Sequence, residues 1–411
     1  MKIDSSAPGK ILLLGSYSVL EGGISYVITT DARVHASIKE NDKNEVVLLS
    51  PQFGKSITGK IIKDKNKVEF TDVPSEMKLF SVSSEIAIKY LIGIGVSVSG
   101  IEISVKNDKP LMYSIYVDEN GEKKVSKTGL GSSAALTVSV IGGILKFFTN
   151  KDDLEVVHKL AQLANYIFAN KIGSGFDIAS AVYGSIMYKR FSEKSLGNLN
   201  QNSTPADIVR VVKKDWDYDI KKINFPDTFK LIFVDFKGES TSTRQFVAQT
   251  YKLKEKNPEY YNFLIKSMDN ENASAIKYLD AISKGNNSES NLRSLRDSIN
   301  MGRIYLKNLG ISSEIEIEDD QQTKLIDLAC MNGAYFGKLP GSGGKDAVVF
   351  ITKSNEDKLK LNKFINSNKQ LGILNIEIDN RGLVASSSKL KFKTKNWYLL
   401  NKFYFLNIIY K

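Results

Sequence analysis

The chain has 411 residues, of which 42% are apolar and 25% charged, a composition that supports a sizeable core in two domains and excludes a small module or a disordered chain. One cysteine, Cys330, and two histidines, His35 and His158, exclude an intramolecular disulfide and a cysteine zinc cluster and leave little room for metal or triad chemistry. The net charge of +11 points to an anionic partner; with the charge spread along the sequence and no recognition motif, a small anion is expected rather than a nucleic acid.

Residues 11–14 and 26–30 are β-rich runs separated by the turn Glu21-Gly22-Gly23. The apolar run 11–20 follows Lys2 and Lys10 but is short, is broken by Gly15 and Ser16, and lacks a small-residue cleavage site, so it does not read as a secretory leader. No stretch reaches the roughly 18 apolar residues of a membrane span, and a cytoplasmic protein is expected. Residues 46–49 and 101–105 continue the strand pattern, and 113–117 and 123–125 flank Asn120-Gly121, a hairpin signal.

Lys127-Thr128-Gly129-Leu130-Gly131-Ser132-Ser133-Ala134-Ala135 then runs straight into the apolar and small-residue helix pattern 136–148. Asp152 and Asp153 open a second helix, where their charge suits the dipole. Leu154, Val157, Leu160, Ala161, Ala164, Ile167 and Phe168 recur at helical spacing, which puts one face in the core and His158 at the surface. Gly173-Ser174-Gly175 stops that helix, and Phe176, Asp177 and a run of small residues follow.

The polar stretches 192–205 and 283–298 read as loops. The strand pattern 230–236 leads into the hydroxyl-rich turn 238–243 before a helix. Cys330 lies in the apolar run 325–330, where a buried structural thiol is expected. Leu339-Pro340-Gly341-Ser342-Gly343-Gly344 precedes a strand at 347–352. There is no internal repeat, and the order of elements predicts an α+β architecture in two parts, 1–220 and 221–385. Beyond them runs a tail, 386–411, in which Lys389, Lys391, Lys393 and Lys395 give way to aromatic and aliphatic residues; it carries no assigned function.

The segment 127–135 has the chemistry of a phosphate cradle. Glycines let backbone N–H groups approach an anion, and a helix N-terminus adds unsatisfied amides and a positive dipole end. Ser132 and Ser133 add hydroxyls for phosphate oxygens or magnesium, and Lys127 adds charge. The same pattern also suits an ordinary helix cap. It is no Walker loop: Gly54-Lys55-Ser56 lacks the leading glycine, since Leu49 stands there. Asp177 reads equally as a residue that orients an acceptor or as an N-cap.

Taken together, Ala7-Pro8-Gly9-Lys10, Gly129-Leu130-Gly131-Ser132-Ser133-Ala134-Ala135 and Leu339–Gly344 resemble, in order, the three motifs of the GHMP kinases. Within that superfamily the likeness is nearest to the phosphomevalonate kinases of eukaryotic type. It rests on Lys127-Thr128 and above all on the stretch Lys171 to Ser185, and it spans about residues 6–384.

The resemblance implies a ribosomal protein S5 domain 2-like N-terminal domain and a ferredoxin-like C-terminal domain, with ATP bound between them. Lys127, Gly129, Leu130, Gly131, Ser132, Ser133 and Ala134 would wrap the ATP phosphates, with Ser133 as a ligand of Mg2+. Asp177 and Lys10 would flank the transferring phosphoryl group. Tyr17, Lys171, Ser174, Arg244 and Gly341, Ser342, Gly343 and Gly344 would serve the acceptor, 5-phosphomevalonate, with Arg33 and Arg190 as further candidate cations. Mevalonate kinases carry Glu-His where this chain has Ser16-Tyr17, so no magnesium-binding glutamate is expected there. Mevalonate, or the acceptor of another GHMP kinase, is the alternative substrate, and the resemblance implies a monomer or homodimer.

Overall fold

The computed structural model describes residues 1–62, 67–108, 113–117, 123–127, 129–236, 243–345 and 347–387. The Asn120-Gly121 turn, Thr128, most of the hydroxyl-rich turn (237–242), Asp346 and the tail from 388 onward lie outside the described residues, as do the side chains of 113–117 and 123–127.

In the first part, β1 (Lys2–Leu14), β2 (Ser25–Glu40), β3 (Glu45–Ser50), β4 (Lys55–Ile62) and β5 (Lys67–Phe70) precede α1 (Lys78–Gly93) and β6 (Ile101–Asn107). The hairpin of β7 (Tyr113–Val117) and β8 (Lys123–Lys127) leads to α2 (Ser132–Thr149), α3 (Leu154–Ala169) and α4 (Phe176–Tyr183). Then come β9 (Ile186–Lys189), α5 (Pro205–Val212) and β10 (Asp219–Lys222). The strands join in the order β10-β9-β2-β6-β3-β4-β5, with β1 on the other edge of β2. All these pairs are antiparallel except β3 with β6.

α2 lies on β1 and β2, flanked by α1, α3 and α4. Its glycines make that approach possible: a Cβ at Gly143 would stand 2.3 Å from Ile38 Cδ1, and one at Gly142 would stand 2.5 Å from Leu383 Cδ2. Contrary to the sequence reading, α2 is long and apolar enough to cross a membrane by length and composition alone; 67% of it is buried against the protein, as in a core helix.

The second part comprises β11 (Lys230–Phe236), α6 (Thr243–Lys256), α7 (Pro258–Ser283), α8 (Glu289–Ser312), α9 (Asp320–Met331), β12 (Phe336–Lys338), β13 (Ala347–Thr352), α10 (Asn355–Asn366) and β14 (Leu371–Leu374). The sheet order β12-β13-β11-β14, all antiparallel, is that of a ferredoxin-like fold with extra helices inserted after its first strand. β11 and β13 read as continuous apolar runs because both faces of the sheet are covered. Ile232, Val234 and Phe350 pack with Ile326, Leu361 and Ile365, while Leu231, Phe233 and Val349 join the main core with Leu295 and Ile299.

Three expectations change. The polar stretch 283–298 is mostly helix, because Ser288 caps α8 through Asn291 N and the loop shrinks to 284–288. Cys330 is exposed: it falls on the outer side of α9, whose Ile326 and Ala329 face the core. His158 is fully buried. The polar side of α3 meets a box of phenol rings, with Tyr218, Tyr183 and Tyr188 edge-on to the imidazole at 4.7, 5.5 and 6.4 Å between centroids.

β10 runs to Lys222 in the first sheet, and β15 (Val384–Ser387) returns to pair with β1. Buried Arg33 holds this returning segment. Its guanidinium donates to Ser6 O at 2.8 Å and to Gly382 O at 2.6 Å, and it lies 3.7 Å from Asp379. We propose a division of the molecule by sheet, with the return strand counted in the first part.

Replacing Arg33 by Met is expected to lower unfolding free energy by about 3 kcal/mol in urea, because it strands the carbonyl acceptors at Ser6, Arg381 and Gly382; a loss below about 1 kcal/mol would contradict the clamp. Burial pulls the His158 imidazole down to about 3 from its ordinary 6.5. Below pH 6.5 the unfolded chain therefore binds a proton that the folded chain refuses. Stability should fall by about 1.4 kcal/mol per pH unit as pH drops from 6.5 toward 3. Urea titrations at pH 7 and pH 5 should show that extra loss in the wild type and not in His158→Phe.

Candidate active site

The site begins with a close approach between β1 and the loop that opens α2. A Cβ at Gly9 would crowd Leu130 O at 3.1 Å and Thr30 Oγ1 at 3.2 Å, so glycine suits the close approach of the two segments. Lys10 N donates to Leu130 O at 2.7 Å, and the β1–β2 register shifts between Pro8 and Lys10 to allow it. Leu130 is buried and pins the loop, while Gly129, with φ of 72°, has no atom within 4 Å of where a side chain would start.

Gly131, at φ of 80°, is the N-cap of α2, and no side chain caps this helix. Its first-turn N–H groups therefore have no intrahelical partner and point toward the cleft with the positive end of the dipole. Ser132 is half-buried, Ser133 exposed and Ala134 buried. The cap position is a bare glycine, as in an ordinary glycine-capped helix.

Lys10 reaches along the same loop. Its ammonium donates to Gly129 O at 2.8 Å and stands 5.5 Å from the centre of the Phe176 ring. Phe176 and Asp177 are the first two residues of α4, and Gly175 is its N-cap. Asp177 is thus not the cap; it sits half-buried in the first turn, its Oδ1 accepting from Ile178 N at 2.9 Å. The first glycine segment, the phosphate-type loop and the Asp177 helix therefore converge on one ammonium group.

The third glycine loop meets them from the second part. Gly341 N donates to Leu12 O at 3.4 Å, and Tyr17 Oη donates to Ser342 O at 2.9 Å. Burial pushes the Tyr17 phenol well above its ordinary value, so it stays a neutral donor. Gly343, at φ of 73°, would bring a Cβ within 2.5 Å of Ile317 O. Gly344 N donates to that same Ile317 oxygen at 2.8 Å, and Gln322 Nε2 donates to Gly344 O at 2.7 Å. Buried Lys338 donates to Leu13 O, and desolvation lowers its ammonium to about 8 against the opposing pull of Glu318.

Around this centre, Arg244 is exposed near the start of α6, beside Thr243, whose hydroxyl lies 2.9 Å from Ser342 Oγ. Lys171 is exposed and Ser174 half-buried on the turn between α3 and α4; Arg190 is half-buried just past β9. Lys127 ends β8, with its side chain outside the described residues. Arg33 is not a substrate cation: its donors are spent on Ser6, Arg381 and Gly382.

Sequence reasoning named no residues for a nucleoside. The structure has a cavity of about 420 Å³ beside the loop, lined by Ser132 and Ser133 together with Gln52, Phe53, Met77 and Asn107. Six separate chain segments build it, so no local motif could announce it. A larger cavity of about 830 Å³ lies between α8 and α9, lined by Arg296, Lys307 and Tyr335 among others, and none of the glycine loops reaches it; the convergence of the loops, not cavity size, marks the candidate site.

The family described as GHMP kinases N terminal domain matches residues 82–185, which include the phosphate-type loop and Asp177. A phosphomevalonate kinase of Candida albicans is 30% identical over 394 residues, covering 85% of this chain and 89% of that protein. One of Saccharolobus solfataricus is 30% identical over 359 residues, covering 85% and 90%; a fungal and an archaeal relative are thus equally similar. The crystal structure of Streptococcus pneumoniae phosphomevalonate kinase in complex with phosphomevalonate and AMPPNP superposes with a TM-score of 0.69 at 16% identity, covering 92% of this chain and all of that one, which shows the shared fold. The chain belongs to the GHMP kinase superfamily and, within it, to the phosphomevalonate kinases.

Proposed function

We propose that this protein transfers the γ-phosphoryl group of ATP to (R)-5-phosphomevalonate, giving 5-diphosphomevalonate and ADP, in the mevalonate route to isoprenoids and in the cytoplasm. The observation that carries the reading is the convergence of the Lys10 ammonium on Gly129 O and the Phe176 ring, one residue from Asp177. An uncapped helix start faces the same place, which suits the triphosphate. The adjoining cavity suits the nucleoside, with Gln52, Phe53 and Asn107 among its polar and aromatic walls.

The acceptor is a phosphate monoester, which loses its second proton near pH 6. At neutral pH the nucleophilic oxygen is therefore already charged, and the barrier lies in bringing two anions together. Lys10 acts chiefly by neutralising that charge, and Asp177 holds Lys10 and the acceptor in line rather than removing a proton. Lys171, Arg244 and the hydroxyls of Ser174 and Ser342 serve the acceptor side, with Tyr17 fixing the Ser342 carbonyl.

Among the described residues no three His, Cys, Asp or Glu side chains stand together as a metal cage. The exposed Ser133 hydroxyl at the start of α2 suits a Mg2+ carried by the nucleotide phosphates. When bound, the ion neutralises charge on the phosphate oxygens.

Lys10→Met is expected to lower kcat by about a thousandfold and Asp177→Asn by about ten- to a hundredfold. A milder loss for the lysine change would overturn the division of roles. Arg244→Ala should raise KM for phosphomevalonate about tenfold and leave KM for ATP within about twofold; equal effects on both would remove Arg244 from the acceptor side. ADP release measured in parallel with phosphomevalonate, mevalonate, homoserine and galactose tests the substrate. Turnover with mevalonate alone would make this a mevalonate kinase, and no turnover with any of them would make it a binding protein.

A further inference from the structure

Behind the Asp177 helix lies a buried polar pair that the phosphoryl-transfer reading does not use. Gln162 is 4% exposed and His158 0%, one turn apart on the inner face of α3. Gln162 Nε2 donates to Gly175 O at 2.8 Å, and the same nitrogen stands 3.1 Å from His158 Nε2. We propose that this pair is the positioning device for Asp177: His158 orients the Gln162 amide, and the amide clamps the Gly175 carbonyl from which α4 starts. The proposal rests on reading Asp177 as the residue that aligns Lys10 and the acceptor.

The donor count makes the arrangement directional. The amide nitrogen of Gln162 only donates and has two hydrogens; one goes to Gly175 O and the other faces the imidazole. His158 Nε2 is therefore the acceptor, which puts the ring proton on Nδ1. An amide turned the other way would set Gln162 Oε1 against the Gly175 oxygen. Burial keeps the ring neutral, as this requires. A protonated ring would aim a second hydrogen at the amide nitrogen and break the pair.

The clamp acts where α4 is decided. Gly175 O also accepts the first helical bond, from Ala179 N at 3.0 Å, so its two lone pairs fix both the direction of the helix and its height over α3. Gly175 has φ of 76°, and a Cβ there would meet Tyr188 Oη at 2.7 Å and Gln162 Nε2 at 3.0 Å. No side chain fits between the clamp and the turn. Phe176, which touches the Lys10 ammonium, and Asp177 are the next two residues. A shift of the Gly175 carbonyl would therefore move the carboxylate and the ring beside Lys10 together. Three phenol rings stand edge-on around the imidazole.

The test is a double-mutant cycle on the full-length enzyme, with active sites counted by nucleotide titration. Gln162→Met, which keeps the volume and removes both donors, is expected to lower kcat per active site about ten- to a hundredfold and to leave KM for ATP within about twofold. In the Asp177→Asn background the same change should alter kcat by less than about twofold, because the group it positions is already disabled. An equal fractional loss in both backgrounds would reduce the pair to core packing and overturn the proposal. If Gln162→Met does not fold, His158→Phe, which keeps the ring and removes the acceptor nitrogen, must show the same background dependence with a smaller loss. A normal kcat for Asp177→Asn sinks the reading of Asp177 and this proposal with it; a low kcat for Asp177→Asn with a normal one for Gln162→Met sinks only the positioning.

Discussion

A side chain at Gly9 would crowd the Leu130 carbonyl, 3.1 Å from its Cβ, and the bare backbone there lets β1 hydrogen-bond to the loop before α2. The rest of the site hangs on that contact. It sets the Lys10 amide against Leu130 O, turns the Lys10 side chain along the loop toward Gly129 O, and leaves the first amides of α2 facing outward with no capping side chain. A helix start left open in this way offers backbone donors and needs no cluster of charged side chains to attract an anion.

β1 carries a second load. Its carbonyls at Leu12 and Leu13 accept from Gly341 N and from buried Lys338, and Tyr17, just past its end, holds Ser342. One strand therefore tells both glycine loops where the other is. Lys338 has surrendered water for a backbone carbonyl, and desolvation lowers its ammonium accordingly; a group held on such terms marks a fixed junction rather than a loose contact.

The features legible in the sequence were those written in a few consecutive residues. The three glycine motifs, the Asp153 cap of α3, the strand that becomes β11 and the strand after Gly344 all depend on local spacing and backbone conformation, and each stands where its residues indicate. What was not legible depends on partners far along the chain. Arg33 is read from sequence as one more cation, but its acceptors at Arg381 and Gly382 are nearly 350 residues away. His158 sits on the polar side of an amphipathic pattern, which does not reveal that tyrosines from α4, β9 and the chain before β10 close over it. The cavity beside Ser133 is likewise assembled from strand, loop and helix segments that share no motif. Periodicity marks the face of an element, and only the tertiary structure says what that face meets.

The return strand has a bearing on how the molecule is made. Ile3 lies opposite Ser387, so one edge of the β1 ladder stays open until almost the whole described chain has been synthesised. Pairings of such sequence separation slow folding and leave a sticky edge exposed on the way. A nascent chain of this protein carries its first two glycine loops long before it can close its own sheet, and the interval between the two is when it is most open to strand-to-strand association with other chains.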